Sequence, residues 1–296
     1  MEHEKTGTTI IDELKLCYVA DYSLLRKLKT IEYGAYMIIE DIKFSRKSSH
    51  HFEYSFDMIA DIEGDDGLAT PIKVATANVG RYGDKADSKW FFYRIENKVL
   101  YDPELLHYTL AIPVKIGVVF DHITSLDVAI DTQTDIARTI KRLWHREDIK
   151  TIINGKMIKD RKTTIKNINL MYSTSLDRIK GLTVYVKESR AKNDKTRGVT
   201  VTAYNKKQEI TETSNKEYVS EFYGNPKRLY RLEVHLNNEE IKSYCKKIGR
   251  KQDLDMVFDK DFLTDIYYYH LQSVIRFTKG RQKLSWKRII ECNGKV

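Results

Sequence analysis

The chain has 296 residues, of which 41% are hydrophobic and 31% charged, with 4 prolines and 14 glycines. That length accommodates one large domain or two modest ones, the scarcity of proline and glycine argues against long low-complexity tracts, and no apolar run reaches the roughly 20 residues of a membrane helix. A net charge of +9, from 51 Lys and Arg against 42 Asp and Glu, suits a polyanionic partner through counterion release, although basic proteins without nucleic acid are also common.

The three cysteines, Cys17, Cys245 and Cys292, are odd in number, far apart and lack a CxxC pair. They indicate neither a disulfide framework nor a zinc site and fit a reducing, cytoplasmic compartment. The polar, acidic start MEHEKTGTTIIDELK does not have the character of a signal peptide.

In chain order, Glu13 to Ala20 alternates as a strand, and Asp21 or Ser23 can cap a short helix through Leu24, Leu25 and Leu28. Strands are expected at Tyr33 to Glu40 and His51 to Ala60, separated by the polar SRKSSHH, then at Val74 to Val79 and Lys89 to Glu96. This is the pattern of an antiparallel meander rather than a parallel α/β alternation. Val114 to Asp131 is apolar and β-prone. Thr132 to Thr134 offers a cap for an amphipathic helix over Asp135 to His145. Basic loops, including KDRKTTIKN, fill 150–180, before a strand at Leu182 to Lys187 and the basic loop ESRAKNDKTRG. Arg228 to Leu236 reads as a strand, followed by a helix capped by Asn237 or Asn238 and stopped by Gly249. Phe262 to Phe277 is the longest helical candidate. The basic tail around Trp286 fits a solvated amphipathic end better than a phosphate contact.

Two segments share a shape: LDVAI at Leu126 to Ile130 and LEVHL at Leu232 to Leu236, each running into a cap and a helix. They suggest two related β-rich halves with Asp127 and Glu233 at matching positions. Asp127 and Asp131 lie on one strand face, and Glu233 and His235 share another. Carboxylates on apolar strands are costly unless paired or bound to a cation, and oxygen ligands of this kind suit Mg2+ or Mn2+. The plainer alternatives are that Asp131 caps the next helix and that Glu233 pairs with Arg228 or Arg231.

The stretch Val199 to Glu209, VTVTAYNKKQE, places Tyr204 near the end of a β-branched strand. If the strand continued, Tyr204 and Lys206 would share a face, and the ammonium would favour the phenolate and make it a nucleophile. Strand tyrosines followed by lysines are usually packing, however, and the chain has 19 tyrosines.

The ordered series SLDVAID, TVYVKESR, VTAYNKKQE and RLYRLEVHL is more specific than any member of it. It resembles the replication initiation factors of rolling-circle plasmids, the transposon-encoded initiators and the related relaxases of integrative elements, over roughly 123–236. The resemblance implies an α+β fold of antiparallel sheets with flanking helices. The expected divisions are 1–110 as an N-terminal β-rich half, 111–250 as the nicking region and 251–296 as a basic helical segment.

It also implies a metal-dependent endonuclease and strand transferase that nicks and rejoins origin DNA through a 5′-phosphotyrosine. Tyr204 matches the active tyrosine, with Lys206 and Glu209 at the other positions of the motif. Asp127 and Glu233 match Mg2+ or Mn2+ ligands, with Asp131 a third carboxylate. Arg190 matches a phosphate-contacting arginine, and Lys192, Lys195, Arg197 and Lys207 are further DNA contacts. The implied partners are single-stranded and duplex origin DNA, a host helicase and polymerase, and a second copy as homodimer, with no membrane.

Three features depart from the pattern: VKESR in place of a glycine-serine pair, Ser125 in place of arginine, and the lack of a histidine-hydrophobe-histidine triplet. Tyr185 is a rival nucleophile. The alternative readings are a conjugative relaxase with the same chemistry, a non-catalytic DNA-binding regulator and a basic structural protein.

Overall fold

The computed structural model describes residues 6–64, 67–83, 88–157, 168–172, 179–185 and 198–291. The fold is α+β, built of antiparallel sheets with flanking helices, as the sequence led us to expect. The chain forms two compact units. An inserted unit comprises Glu13–Leu126 with Gln252–Leu254, and a discontinuous unit comprises Met1–Asp12, Asp127–Lys251 and Asp255–Val296.

The chain opens with β1 (Thr9–Val19), which starts earlier than the apolar alternation suggests and so includes Asp12. α1 (Tyr22–Lys29) is capped by Asp21, whose Oδ1 accepts from the Leu24 N–H at 2.8 Å, and it buries Leu24, Leu25 and Leu28. The single strand expected at Tyr33 to Glu40 is instead a hairpin, β2 (Tyr36–Ile39) and β3 (Ile42–Lys47). Its turn places Glu40 and Asp41 at φ +48° and +64°. Two left-handed residues suit a two-residue hairpin, yet no glycine or asparagine advertises this one.

β4 (Phe52–Glu63), β5 (Ala69–Arg81) and β6 (Trp90–Ile95) complete the strand order β1-β6-β5-β4-β3-β2 in the inserted unit. One face of that sheet is apolar, with Leu16, Phe44, Phe56, Ala77, Phe91 and Tyr93 all buried. The helix α2 (Pro103–Lys115) went unread in the sequence. Asp102 accepts from the Glu104 and Leu105 N–H groups, and Pro103 takes the first helical turn, where its missing N–H costs nothing. Tyr93 donates to the Thr109 carbonyl at 2.9 Å and ties this helix to β6.

β7 (Val119–Thr132) leads into the discontinuous unit, and α3 (Ile136–His145) follows. The helix is capped by Asp135, which accepts from the Arg138 N–H at 3.0 Å, rather than by Thr132 to Thr134. The region read as basic loops contains β8 (Ile149–Ile153), β9 (Lys156–Met157) and β10 (Ile168–Tyr172). Then come β11 (Ile179–Tyr185), β12 (Thr200–Asn205), the short helices α4 (Lys206–Glu209) and α5 (Glu217–Phe222), and β13 (Tyr230–Asn237).

Asn237 caps α6 (Asn238–Lys247), and Gly249 closes it at φ +70°, where the following Arg250 N–H reaches the Cys245 carbonyl. α7 (Lys260–Val274) passes directly into β14 (Ile275–Lys279), so the expected helix to Phe277 ends early. β15 (Gln282–Lys283) and α8 (Trp286–Glu291) follow. Trp286 is buried and donates to the Ile275 carbonyl at 2.9 Å, which makes the tail part of the core.

The discontinuous unit has a large sheet ordered β10-β11-β12-β13-β7-β1 and a small one ordered β15-β14-β8-β9. Val201, Ala203, Leu232, Val234, Val128 and Ile130 are buried on one face of the large sheet, against which α3 and α7 pack. Both strand–cap–helix segments noticed in the sequence, β7–α3 and β13–α6, belong to this unit, on neighbouring strands. By the two-residue period, their acidic positions fall on the opposite, polar face.

Candidate active site

The register of β12 against β13 pairs Tyr204 with Arg231, Thr202 with Glu233 and Thr200 with His235. Arg231, Glu233 and His235 therefore share a face with Tyr204, and the neighbouring β7 presents Asp127 and Asp131 to it. The Tyr204 hydroxyl donates to Glu233 Oε2 at 3.3 Å. The His235 Nδ1 lies 2.5 Å from Asp127 Oδ1.

At the base of this face lies Arg231, fully buried. Its Nε and one terminal nitrogen donate to the two oxygens of Asp131 at 2.8 and 2.6 Å. The other terminal nitrogen pairs with Asp12 of β1. Asp131, expected as a third metal ligand, thus lies in a bidentate ion pair with both oxygens engaged, and Asp135 performs the capping role weighed for it. Glu233 does not take up the Arg231 guanidinium, contrary to the plainer expectation.

β12 does not continue past Asn205, so Lys206 reaches Tyr204 by a route other than the strand alternation we expected. Asn205 turns the chain, its side chain accepting from the Gln208 N–H at 3.0 Å, and Lys206 opens α4. The Lys206 Nζ lies 5.7 Å from the centre of the Tyr204 ring and pairs with Glu209 at 2.9 Å. Lys206 is 1% exposed. Burial, then Arg231, draw its ammonium below the ordinary lysine range.

The electrostatics at the phenol run opposite to the sequence expectation. Burial raises the Tyr204 hydroxyl well above the usual phenol range, Arg231 opposes it, and Glu233, Asp12 and Asp131 raise it further. Lys206 sits over the ring rather than at the oxygen, so it does not favour the phenolate. Glu233 is itself pushed up to about 7, first by burial and then by the Asp127 and Asp12 carboxylates. A phenol held neutral beside a carboxylate of raised proton affinity is a donor–base pair.

Asp127 and His235 bring ligand atoms of kinds that hold a divalent cation within 4.8 Å of one another, and Glu233 lies on the same face. The Asp127 carboxylate raises the proton affinity of Glu233, a like-charge conflict of the kind that a bound cation relieves. Sequence reasoning missed Asp12 and the role of Arg231; the signal available was the IID triplet preceding Glu13.

Of the DNA-contact candidates, Lys207 donates to the Ser220 hydroxyl at 2.7 Å. Arg190, Lys192, Lys195 and Arg197 lie outside the described residues, as does the side chain of the rival Tyr185. No described helix is long and apolar enough to cross a membrane.

No protein-family model and no curated protein matches the chain. Among solved structures, it is similar to a rolling circle replication initiator protein from Geobacillus stearothermophilus, at 12% identity and a TM-score of 0.49. The match covers 98% of this chain and 97% of that one.

Proposed function

We propose that the chain is a tyrosine-dependent DNA nicking and joining enzyme that initiates rolling-circle replication. The observation that supports this most directly is the Tyr204 hydroxyl donating to Glu233 Oε2 on a face that also carries Asp127 and His235. Tyr204 attacks the phosphorus of one DNA strand as Glu233 accepts the phenol proton. The new bond is a 5′-phosphotyrosine, and the broken bond releases a 3′-oxygen that takes a proton from solvent and can prime a polymerase. Reversal of the step rejoins the strand.

Asp127, Glu233 and His235 would hold Mn2+ or Mg2+, which when bound supplies Lewis-acid polarisation of the phosphodiester. Asp131 with Arg231 fixes the strands beneath. Lys206 packs on the Tyr204 ring and orients it. Lys207, with Arg190, Lys192, Lys195 and Arg197, would contact backbone phosphates. A conjugative relaxase would use the same chemistry on a different DNA.

The test incubates the protein with Mn2+ and single-stranded oligonucleotides tiling the DNA beside its gene, then runs a denaturing protein gel. A covalent DNA–protein band is expected in the parent and absent from Tyr204→Phe and from chelator-treated samples. A band that persists in Tyr204→Phe would move the nucleophile to Tyr185. A parent that binds the DNA yet forms no band would make the chain a binding regulator.

A further inference from the structure

The inserted unit contains a concave site that the nicking chemistry does not use. Its sheet is apolar on one side, but the other side forms the floor of a cavity of about 740 Å3. That volume falls in the range of about 300–1,000 Å3 typical of ligand sites. The strand register builds the floor as a row across neighbouring strands: Lys47 opposite Ser55, Ser55 opposite Asn78, and Asn78 opposite Phe92. Phe92 pairs with the Phe52 ring at 5.3 Å between centroids, the two planes tilted by 52°. Ser55 donates to Asn78 Oδ1 at 2.7 Å, which leaves the Asn78 amide nitrogen as a donor on the floor. Thr124 Oγ1, in the cavity wall, is buried without a hydrogen-bond partner.

The charge on this cavity has one sign. Lys15, Lys47, Arg81 and Arg94 line it with His50 and His51, and no carboxylate lines it among the described residues. Part of that charge is compensated from outside the lining: Lys15 and Arg94 pair with Glu13, and Lys47 pairs with Asp57. Arg81 is exposed and carries no ion pair among the described residues. Beside it Tyr82 is 63% exposed on the rim, and the Tyr82 N–H reaches the His51 carbonyl at 3.2 Å to join the two loops that frame the opening.

We infer that this cavity binds single-stranded nucleic acid, with unpaired bases against Phe92, Phe52 and Tyr82 and backbone phosphates at Arg81 and its neighbouring cations. Aromatic side chains on a concave, basic sheet face offer unpaired bases a stacking surface that a duplex, with its bases already stacked, cannot use. A phosphate-only site would need neither the aromatic floor nor this volume. The inference stands on the inserted unit alone and holds whether or not Tyr204 is a nucleophile.

The test measures binding of a fluorescent dT 12-mer by anisotropy to full-length Tyr204→Phe protein without divalent cation, so that no adduct forms. Against that background, Phe92→Ala is expected to weaken binding roughly tenfold. Arg81→Glu is expected to weaken it and to lower the salt dependence by about one phosphate contact. Arg81 is exposed, so this second variant keeps the test informative if Phe92→Ala unfolds in a melting experiment. A 12-mer carrying 5-iododeoxyuridine is expected to photocrosslink to Phe92 or Tyr82. Unchanged affinity in Arg81→Glu together with crosslinks confined to the discontinuous unit would overturn the inference, as would equal losses for a duplex of the same length.

Discussion

The Tyr204 hydroxyl meets a carboxylate at hydrogen-bond distance, while the Lys206 ammonium lies over its ring, and under the proposed function this arrangement sets how the phenol is activated. The proton has a route to Glu233, so Glu233→Gln is expected to slow covalent-adduct formation at least 100-fold while leaving oligonucleotide binding intact. Comparing adduct rate with anisotropy checks this; a loss of binding of the same size would refute it. His270 makes a separate contribution at this scale. It is 6% exposed between Tyr244 and Tyr269, and burial, then Lys247, lower its imidazole to about 4. Its folded value lies below the unfolded one, so the stability it confers is complete above about pH 6.5 and is lost as pH falls towards 4. The full difference corresponds to about 3 kcal/mol. His270→Leu is expected to flatten the stability–pH curve across that window, as read by urea titrations at several pH values. Tyr204, Glu233 and Asp127 were singled out in the sequence by the ordered motifs, and the order and register of β7, β12 and β13 bring them to one face. Asp12 was not, because its neighbours Ile10 and Ile11 break the alternation, so the expected strand began at Glu13, four residues after the true start at Thr9.

At the scale of elements, the turn at Asn205 carries the most weight. Its side-chain bond to the Gln208 N–H ends β12 and starts α4, and this brings Lys206 over the Tyr204 ring. Asn205→Ala is expected to cost about 1 kcal/mol of stability and to slow adduct formation about tenfold, whereas Asn205→Asp, which can still cap, restores both. Melting curves beside adduct rates test the pair. Elements with a clear period and a capping residue, such as α1, α3 and α6, were readable from the sequence. The β2–β3 hairpin was not, because Glu40 and Asp41 take the left-handed turn usually held by glycine or asparagine. α2 was overlooked although Asp102–Pro103 announces it. The end of α7 was hidden because Ile275 and Phe277 extend its apolar character while turning into β14.

At the scale of the whole molecule, the buried Arg231 joins three strands, β1, β7 and β13, through Asp12 and Asp131. Arg231→Met leaves two carboxylates without their guanidinium and is expected to destabilise the discontinuous unit by about 3–5 kcal/mol, part of which Asp131→Leu regains in the double variant. Urea unfolding of Trp90→Phe protein, in which the remaining Trp144 and Trp286 both belong to that unit, reads this directly. The chain order of the units has a further consequence, for synthesis on the ribosome. All of Glu13–Leu126 has been made before the discontinuous unit has received any residue beyond Asp12. At about 5–20 residues per second, the remaining 127–296 take roughly ten to thirty seconds more. The sheet with the basic cavity therefore has time to form first, while Asp12 waits on a nascent chain for an arginine that has not yet been translated.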